Sequence, residues 1–221
     1  MSQPTKPVRP LRVPPWSSAC SQASDQLGLS PEVCNKLATY VTILGKWQPS
    51  LNLIGPKTWD DVWDRHILDS LQCLEHVKST AEGRGWADIG SGAGFPGVVL
   101  ALVTGIPVRL IEADQRKAAF LLAVKTATGA PVTVVNRRIE SLPSEPVDAL
   151  FARAFAPLPR LLEWCQPFID AETTLILHKG RRFQDELDAA TQRFSFQTES
   201  FPSIIDSDSV ILRLRNLHRR P

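Results

Sequence analysis

Residues 86–97 read WADIGSGAGFPG, and they are the most informative segment of the sequence for the fold. It begins as a short apolar strand, continues through three glycines separated by single residues, and ends in a proline and a glycine that predict the start of a helix. Glycine lets the backbone turn sharply and approach a ligand closely, and a helix N-terminus adds free N–H groups. The next strand ends in Glu112, 24 residues after Asp88. An acid there can accept hydrogen bonds from both ribose hydroxyls of a nucleoside cofactor.

The spacing of the glycines separates two classes of nucleotide-binding protein. Dinucleotide enzymes carry G-x-G-x-x-G, whereas Phe95 stands at the last glycine position of this chain. The run is instead G-x-G-x-G, starting at Gly90 two residues after Asp88, which is typical of class I S-adenosylmethionine-dependent methyltransferases. The alternative is a glycine-rich turn that serves only strand-to-helix packing. Phe95 disfavours a dehydrogenase.

Strand and helix patterns alternate from Gly85 onward. Strands are predicted at 86–89, 108–112, 132–136, 147–151 and 174–178, and helices at 96–103, 115–128, 158–168 and 183–193. This alternation predicts parallel strands with crossover helices. Strands at 195–201 and 210–215 are joined by a loop too short for a parallel crossover, which predicts an antiparallel pair. The predicted fold class is α/β: a Rossmann-like doubly wound sheet with an antiparallel last strand, as in class I methyltransferases.

The chain before residue 83 carries helix signals and no convincing strand. Ser30-Pro31 predicts a helix start, and Thr58 followed by Asp61 resembles a capping box. Helices are predicted over 18–27, 31–47 and 58–77. We therefore expect three parts: a disordered, basic, proline-rich leader (1–16), an N-terminal helical segment (17–82) and a class I methyltransferase domain (83–221).

Composition limits the class of protein. Hydrophobic residues make up 43% of the chain and charged residues 22%, as in globular proteins, and no run of about 18 apolar residues predicts a membrane helix. The four cysteines are scattered, without a C-x-x-C pair or a metal-ligand cluster. We therefore expect reduced thiols, a cytoplasmic protein and no metal. The net charge of +2 is too small to indicate a nucleic-acid binder. However, cations cluster in the leader (Lys6, Arg9, Arg12), at 179–182 and at 213–220, where they can track a phosphate backbone.

With these motifs placed, the sequence resembles a known family. Residues 88–97, DIGSGAGFPG, are similar to the signature of the GidB (RsmG) family of bacterial 16S rRNA guanosine-N7 methyltransferases. Residues 65–70 match its R-H-I-L-D-S, residues 153–156 resemble its S-R-A-F-A, and Lys179-Gly180 resembles its K-G. The resemblance covers about residues 40–190. Glu112 stands where the family often has aspartate, but glutamate can also bind a ribose.

The resemblance implies S-adenosylmethionine as the cofactor, bound by Gly90, Phe95, Ile139, Glu140 and Arg153. We expect Gly90 and Gly92 to place main chain against its methionine portion and Glu112 to hold its ribose. The pair that follows the third strand, Ile139-Glu140, is expected to border the adenine. Arg153 is expected to pair with the cofactor carboxylate or with an RNA phosphate.

The resemblance implies one guanosine of 16S rRNA as the substrate. Guanine N7 carries a lone pair and no proton, so methyl transfer needs no general base, and we expect alignment to carry catalysis and no catalytic side chain. The RNA-binding candidates are Arg65, His66, Lys179, Arg181 and Arg182. Asp69 is expected to hydrogen-bond His66, three residues before it on the same helix face. The candidate surfaces for base stacking are Trp47, Phe95 and Phe155.

Two alternatives stay open at this point. One is a methyltransferase of the same fold that acts on a small molecule or a protein. The other is a non-catalytic RNA-binding module. The sequence also leaves open whether the RNA partner is free 16S rRNA, the 30S subunit or its precursor, while no membrane partner is expected.

Overall fold

The computed structural model describes residues 9–77 and 83–220. Its strands are β1 (Trp86–Ile89), β2 (Val108–Ile111), β3 (Val132–Val135), β4 (Ala149–Arg153), β5 (Thr174–Lys179), β6 (Phe194–Pro202) and β7 (Val210–Arg219). They form one sheet in the order β3-β2-β1-β4-β5-β7-β6. The first five are parallel, and β7 lies antiparallel between β5 and β6. The predicted doubly wound sheet with an antiparallel last strand is therefore confirmed.

Helices cover both faces of this sheet. They are α1 (Ser18–Gln26), α2 (Pro31–Leu51), α3 (Asp69–Leu71), α4 (Gly97–Thr104), α5 (Gln115–Thr128), α6 (Leu158–Cys165) and α7 (Phe183–Thr191). The core on one face joins the N-terminal helices with α4 and α5, and the core on the other face lies under α6 and α7. All four residues of β1 are buried, as expected for a strand covered on both faces.

Helix α2 begins as the sequence predicts and ends later. The Ser30 side chain accepts a hydrogen bond from the Val33 N–H at 3.3 Å, and Pro31 occupies the first helical position. The helix continues through Pro49 to Leu51, where Asn52 takes a left-handed conformation (φ 48°) and ends it. Its buried side packs mainly against α5, which fixes the helical segment to the sheet.

The predicted helix over 58–77 is wrong in its details. The chain forms a 3-10 turn at Pro56–Thr58, a π-helix at Trp63–Leu68, the short α3, and a 3-10 turn at Gln72–His76. Thr58 does not form the predicted N-cap: its hydroxyl donates to the Gly55 carbonyl at 2.8 Å and contacts the ring of His66. The side-chain bond to His66 thus takes the place of the cap.

The leader differs from the expected disordered segment where the structure describes it. The Leu11 N–H donates to the Gly45 carbonyl at 3.0 Å, and the indoles of Trp59 and Trp63 donate to the carbonyls of Arg12 and Pro14 at 3.0 and 2.9 Å. Trp16 also stacks on Trp63 at 4.5 Å. The leader is ordered here because it satisfies two largely buried indole donors. Residues 1–8 lie outside the described residues, and they include Lys6 of the basic cluster in the leader.

The structure also shows the state of the cysteines and the character of the helices. All four cysteines are free thiols, and three of them are buried. Within the described ranges, no helix combines the length and the apolar character needed to span a bilayer.

Candidate active site

The glycine loop after β1 is tied down by its own backbone. Gly90 and Ser91 both donate their N–H groups to the Ile111 carbonyl at the end of β2, at 2.9 and 3.1 Å. Gly90 has a φ of +68°, and a Cβ built on it would overlap the ring of Phe155. Only glycine combines this conformation with this close approach. The loop therefore places bare main chain at the carboxyl edge of the sheet, beside the residues that follow β4.

Glu112 is buried and held in one orientation. Its Oε2 accepts the Gly92 N–H at 2.8 Å, and its Oε1 accepts the Asp114 N–H at 2.7 Å. Each carboxylate oxygen keeps a further lone pair for a ligand hydroxyl. The glycine loop thus orients the acid that the sequence singled out.

A cavity of about 440 Å³ opens beside this carboxylate. It is lined by Gly90, Ile111, Glu112, Ala113, Lys117, Arg137, Arg138, Ile139, Glu140, Ala154, Phe155, Arg160 and Trp164. We call it the loop cavity. Four predicted cofactor residues, Gly90, Glu112, Ile139 and Glu140, line it together. Gly92 reaches it only through its hydrogen bond to Glu112.

Phe95 and Arg153 lie elsewhere. Phe95 is buried, its ring stacks on His66 at 5.0 Å, and it also contacts Tyr40 at 5.2 Å. The Arg153 guanidinium lies 5.1 Å from the centre of that ring. Their side chains join the glycine loop to the N-terminal helical segment instead of lining the loop cavity.

A second cavity, of about 430 Å³, contains Arg153. Its lining includes Thr58, Arg65, His66, Asp69, Arg153, Ala154, His178, Lys179, Gly180 and Asp206. We call it the helical-segment cavity. Ala154, a non-glycine residue with a positive φ of 51°, lines both cavities. The two cavities therefore adjoin at the turn after β4.

Arg153 organises the helical-segment cavity. It donates to Asp69 Oδ2 at 2.9 Å and to His66 Nδ1 at 2.8 Å. The predicted hydrogen bond between His66 and Asp69 is wrong, because both side chains bind Arg153 instead. The guanidinium comes from β4, 84 residues beyond Asp69, and therefore could not be inferred from helical spacing.

His66 is neutral in this arrangement. Burial first, and then the cations Arg153 and Arg65, lower its pKa to about 3. A guanidinium can only donate, so Nδ1 is the acceptor and the ring proton resides on Nε2. Nε2 lies 2.8 Å from the Thr58 hydroxyl, which accepts that proton in a hydrogen bond. Both ring nitrogens are therefore occupied within the protein.

Asp88 lies beneath the loop without contact with either cavity. It is fully buried, its Oδ2 accepts the Gly97 N–H at 3.2 Å, and burial raises its pKa to about 7. Its Oδ1 has no hydrogen-bond partner among the described residues. A Cβ on Gly97 would stand 2.7 Å from Oδ2, so the helix start packs directly on this acid.

Two of the three basic residues at 179–182 are neutralised. Lys179 is 8% exposed and donates to Glu186 and to the Ala156 carbonyl, both at 2.8 Å. Arg181 is exposed and pairs with Asp208. Arg182 is exposed at the start of α7. Lys179 thus braces the turn after β4, and its ammonium is already paired.

Comparison with known sequences identifies the family. The model of the GidB family, described as rRNA small subunit methyltransferase G, matches residues 33–210. A ribosomal RNA small subunit methyltransferase G of Paramagnetospirillum magneticum is 43% identical over 192 residues, covering 87% of this chain and 93% of the relative. One of Rhizobium meliloti is 41% identical over 212 residues, covering 92% and 98%. The chain belongs to the GidB family.

Solved structures give the fold of this GidB chain independently. An O-methyltransferase from Bacillus cereus in complex with SAH superposes with a TM-score of 0.55 at 16% identity, over 91% of this chain and 98% of the other. A mutant of MtNAS in complex with S-adenosylmethionine gives 0.56 at 17% identity, over 89% and 77%. The predicted class I methyltransferase fold is confirmed.

Several residues that line the two cavities of this GidB chain were missed from the sequence. Lys117, Arg137, Arg138 and Arg160 line the loop cavity, and His178 and Asp206 line the helical-segment cavity. Arg137 and Arg138 directly precede Ile139, so their place beside the third strand could have been inferred. Asp206 lies in the loop between β6 and β7, where no local signal marks it.

Proposed function

We propose that this protein transfers a methyl group from S-adenosylmethionine to N7 of one guanosine in 16S rRNA. The observation that carries the proposal is the pair of cavities that adjoin at Ala154. One suits a nucleoside cofactor, and the other is wide enough for a purine nucleoside, since ligand cavities commonly measure about 300–1,000 Å³. Family membership supplies the substrate class.

The residues of the loop cavity fit S-adenosylmethionine. Glu112 presents free lone pairs to ribose hydroxyls, and the buried side chain of Ile139 offers an apolar surface to the adenine. Gly90 brings bare main chain to the edge of this cavity, where a Cβ would collide with the ring of Phe155, and so can lie beside the methionine portion. When bound, the cofactor supplies an electrophilic methyl group.

The helical-segment cavity would hold the target guanosine and align it. Guanine N7 needs no deprotonation before it accepts a methyl group, so the protein supplies orientation and a sheltered site. His66 cannot act as a base here, because its nitrogens are engaged by Arg153 and Thr58. Arg153 is itself fixed by hydrogen bonds to Asp69, His66 and the Arg65 carbonyl. The hydrogen-bonded side chains of Arg153, His66 and Asp69 therefore form a fixed side of this cavity, against which the base can be oriented.

Transfer of labelled methyl groups into rRNA tests the proposal. The protein is incubated with labelled S-adenosylmethionine and either naked 16S rRNA, 30S subunits or a subunit precursor, and the modified nucleoside is identified. We expect N7-methylguanosine at one position, and we expect the same nucleoside to be missing from 16S rRNA of a strain that lacks the gene. Label incorporated only into a protein or a small molecule would support the rival methyltransferase. RNA binding without turnover would support a non-catalytic module.

A matched pair of variants tests the cofactor assignment. Glu112→Gln keeps the size of the side chain but replaces one acceptor oxygen by a donor that faces a backbone N–H. We expect the affinity for S-adenosylmethionine to fall at least about tenfold, in line with the loss of charge-assisted hydrogen bonds. Glu172→Gln, at an exposed position just before β5 and at the opposite edge of the sheet, is the control. Equal affinities in calorimetry would contradict the role of Glu112.

Since rRNA is the substrate, we expect the protein to act in the cytoplasm.

A further inference from the structure

Cations without an acidic partner collect at one place on the molecule. Lys117, Arg137, Arg138 and Arg160 line the loop cavity, and none of them has a carboxylate within 4.0 Å among residues 9–77 and 83–220. Four of the cations that the sequence singled out behave differently. Arg65, Arg153, Lys179 and Arg181 pair with Asp206, Asp69, Glu186 and Asp208.

The cofactor alone does not account for four cations. S-adenosylmethionine carries one carboxylate, which one cation can neutralise, and its sulfonium and ammonium groups are themselves positive. The two acids in the lining are Glu112 and Glu140, and Glu112 is already held by backbone N–H groups. The rim of the loop cavity therefore keeps an excess of positive charge that attracts a polyanion.

Aromatic faces lie among these cations. Phe155 is 38% exposed, and its ring centre lies 5.4 Å from that of Trp164. The Arg160 guanidinium lies 4.7 Å from the Trp164 ring on α6. Of the three aromatic residues expected to stack on bases, Phe95 is buried and Trp47 packs edge-on against Phe120 in the core. Cations beside exposed aromatic rings are the combination that binds unpaired nucleic-acid strands.

We propose that the RNA strand flanking the target guanosine crosses the mouth of the loop cavity, with its phosphates on Lys117, Arg137, Arg138 and Arg160. This inference rests on the proposed function. The target base reaches the helical-segment cavity at Ala154, and the neighbouring nucleotides lie over the Phe155–Trp164 pair. The RNA then covers the bound cofactor, so cofactor exchange requires the RNA to leave.

Filter binding to naked 16S rRNA at several salt concentrations tests the proposed interactions with phosphates. For single-stranded RNA, removing the cation that neutralises one phosphate lowers the slope of log affinity against log salt by about 0.7. We expect Arg137→Ala/Arg138→Ala to lower the slope by about 1.4 and Arg160→Ala by about 0.7. The control, Lys125→Ala/Arg219→Ala, removes two exposed cations at the opposite edge of the sheet and should keep the wild-type slope.

Exchange of the cofactor tests the path of the RNA. Dissociation of labelled S-adenosylmethionine should be at least about tenfold slower at a 16S rRNA concentration that just saturates the wild type. Arg137→Ala/Arg138→Ala, which should bind this RNA more weakly, should lose most of this effect at the same concentration. Wild-type methylation together with an unchanged salt slope in both arginine variants would overturn this inference alone. So would an exchange rate that RNA leaves unchanged, or a loss of cofactor affinity in the arginine variants without a change in slope. A wild-type protein that neither binds nor methylates rRNA would overturn the proposed function as well.

Discussion

Replacing His66 by glutamine should remove a specific loss of stability in acid. The folded protein holds His66 neutral, with a pKa of about 3, because the ring is buried beside Arg153 and Arg65. The unfolded chain protonates the same ring at about 6.5. The folded state therefore binds fewer protons, and stability is lost as the pH falls from 6.5 towards 3.

The size of the effect follows from these two values. At pH 7.5 both states are almost unprotonated at His66, and the contribution is close to zero. At pH 5.0 the titration of His66 lowers the free energy of unfolding by about 2 kcal/mol, which is the linkage free energy for a pKa lowered from about 6.5 to about 3. His66 is only 8% exposed, so solvent screens this contribution little. Glutamine does not titrate, and its amide can accept from Arg153 and donate to Thr58 as the imidazole does.

Urea unfolding at pH 7.5 and 5.0 measures the difference. We expect the wild type to lose about 2 kcal/mol more than His66→Gln between the two pH values. The control is His218→Gln, which removes a histidine exposed on β7. Equal losses in wild type and His66→Gln would show that the folded ring accepts a proton near neutral pH. The conclusion that His66 is neutral and accepts a hydrogen bond from Arg153 would then be wrong, and His66 could no longer be excluded as a base.

Three further predictions concern the loop and its support. In the same urea assay, the wild type should lose about 1.4 kcal/mol more of its free energy of unfolding between pH 6 and 8 than Asp88→Asn. Burial raises the pKa of Asp88 to about 7, so the folded state resists ionisation of this carboxyl as the pH rises. Gly90→Ala should weaken S-adenosylmethionine binding in calorimetry more than Gly92→Ala, since both glycines have positive φ but only the Gly90 Cβ would displace Phe155; equal effects would contradict the close approach. Lys179→Ala should lower the free energy of unfolding in urea by about 1.5–3 kcal/mol. It should leave the salt slope of RNA binding unchanged, because the ammonium is bound inside the protein; a lower slope would show that Lys179 contacts RNA phosphates.

Local patterns of the chain were enough to predict the sheet and the part of the candidate site around the loop cavity. The strand, the glycines and the acid at Glu112 lie within 27 residues, 86–112, and each follows from backbone and hydrogen-bonding rules that act over short distances. The structure places Gly90, Glu112, Ile139 and Glu140 around one cavity, because the carboxyl ends of parallel strands meet at one edge. The leader and the π-helix escaped prediction, since tertiary contacts of Trp59, Trp63 and His66 override local propensity there.

Which charged residues are available to a ligand depends on contacts between distant parts of the chain. In the sequence, Lys179 and Arg181 form a basic cluster, while Arg160 stands alone. In the fold, Asp208 comes from the loop between β6 and β7 to pair with Arg181, and Glu186 pairs with Lys179. Arg160 joins two cations that follow β3 and one from α5. An ion pair depends on a separation of a few ångströms, and that separation is set by strand order and helix packing between residues far apart along the chain.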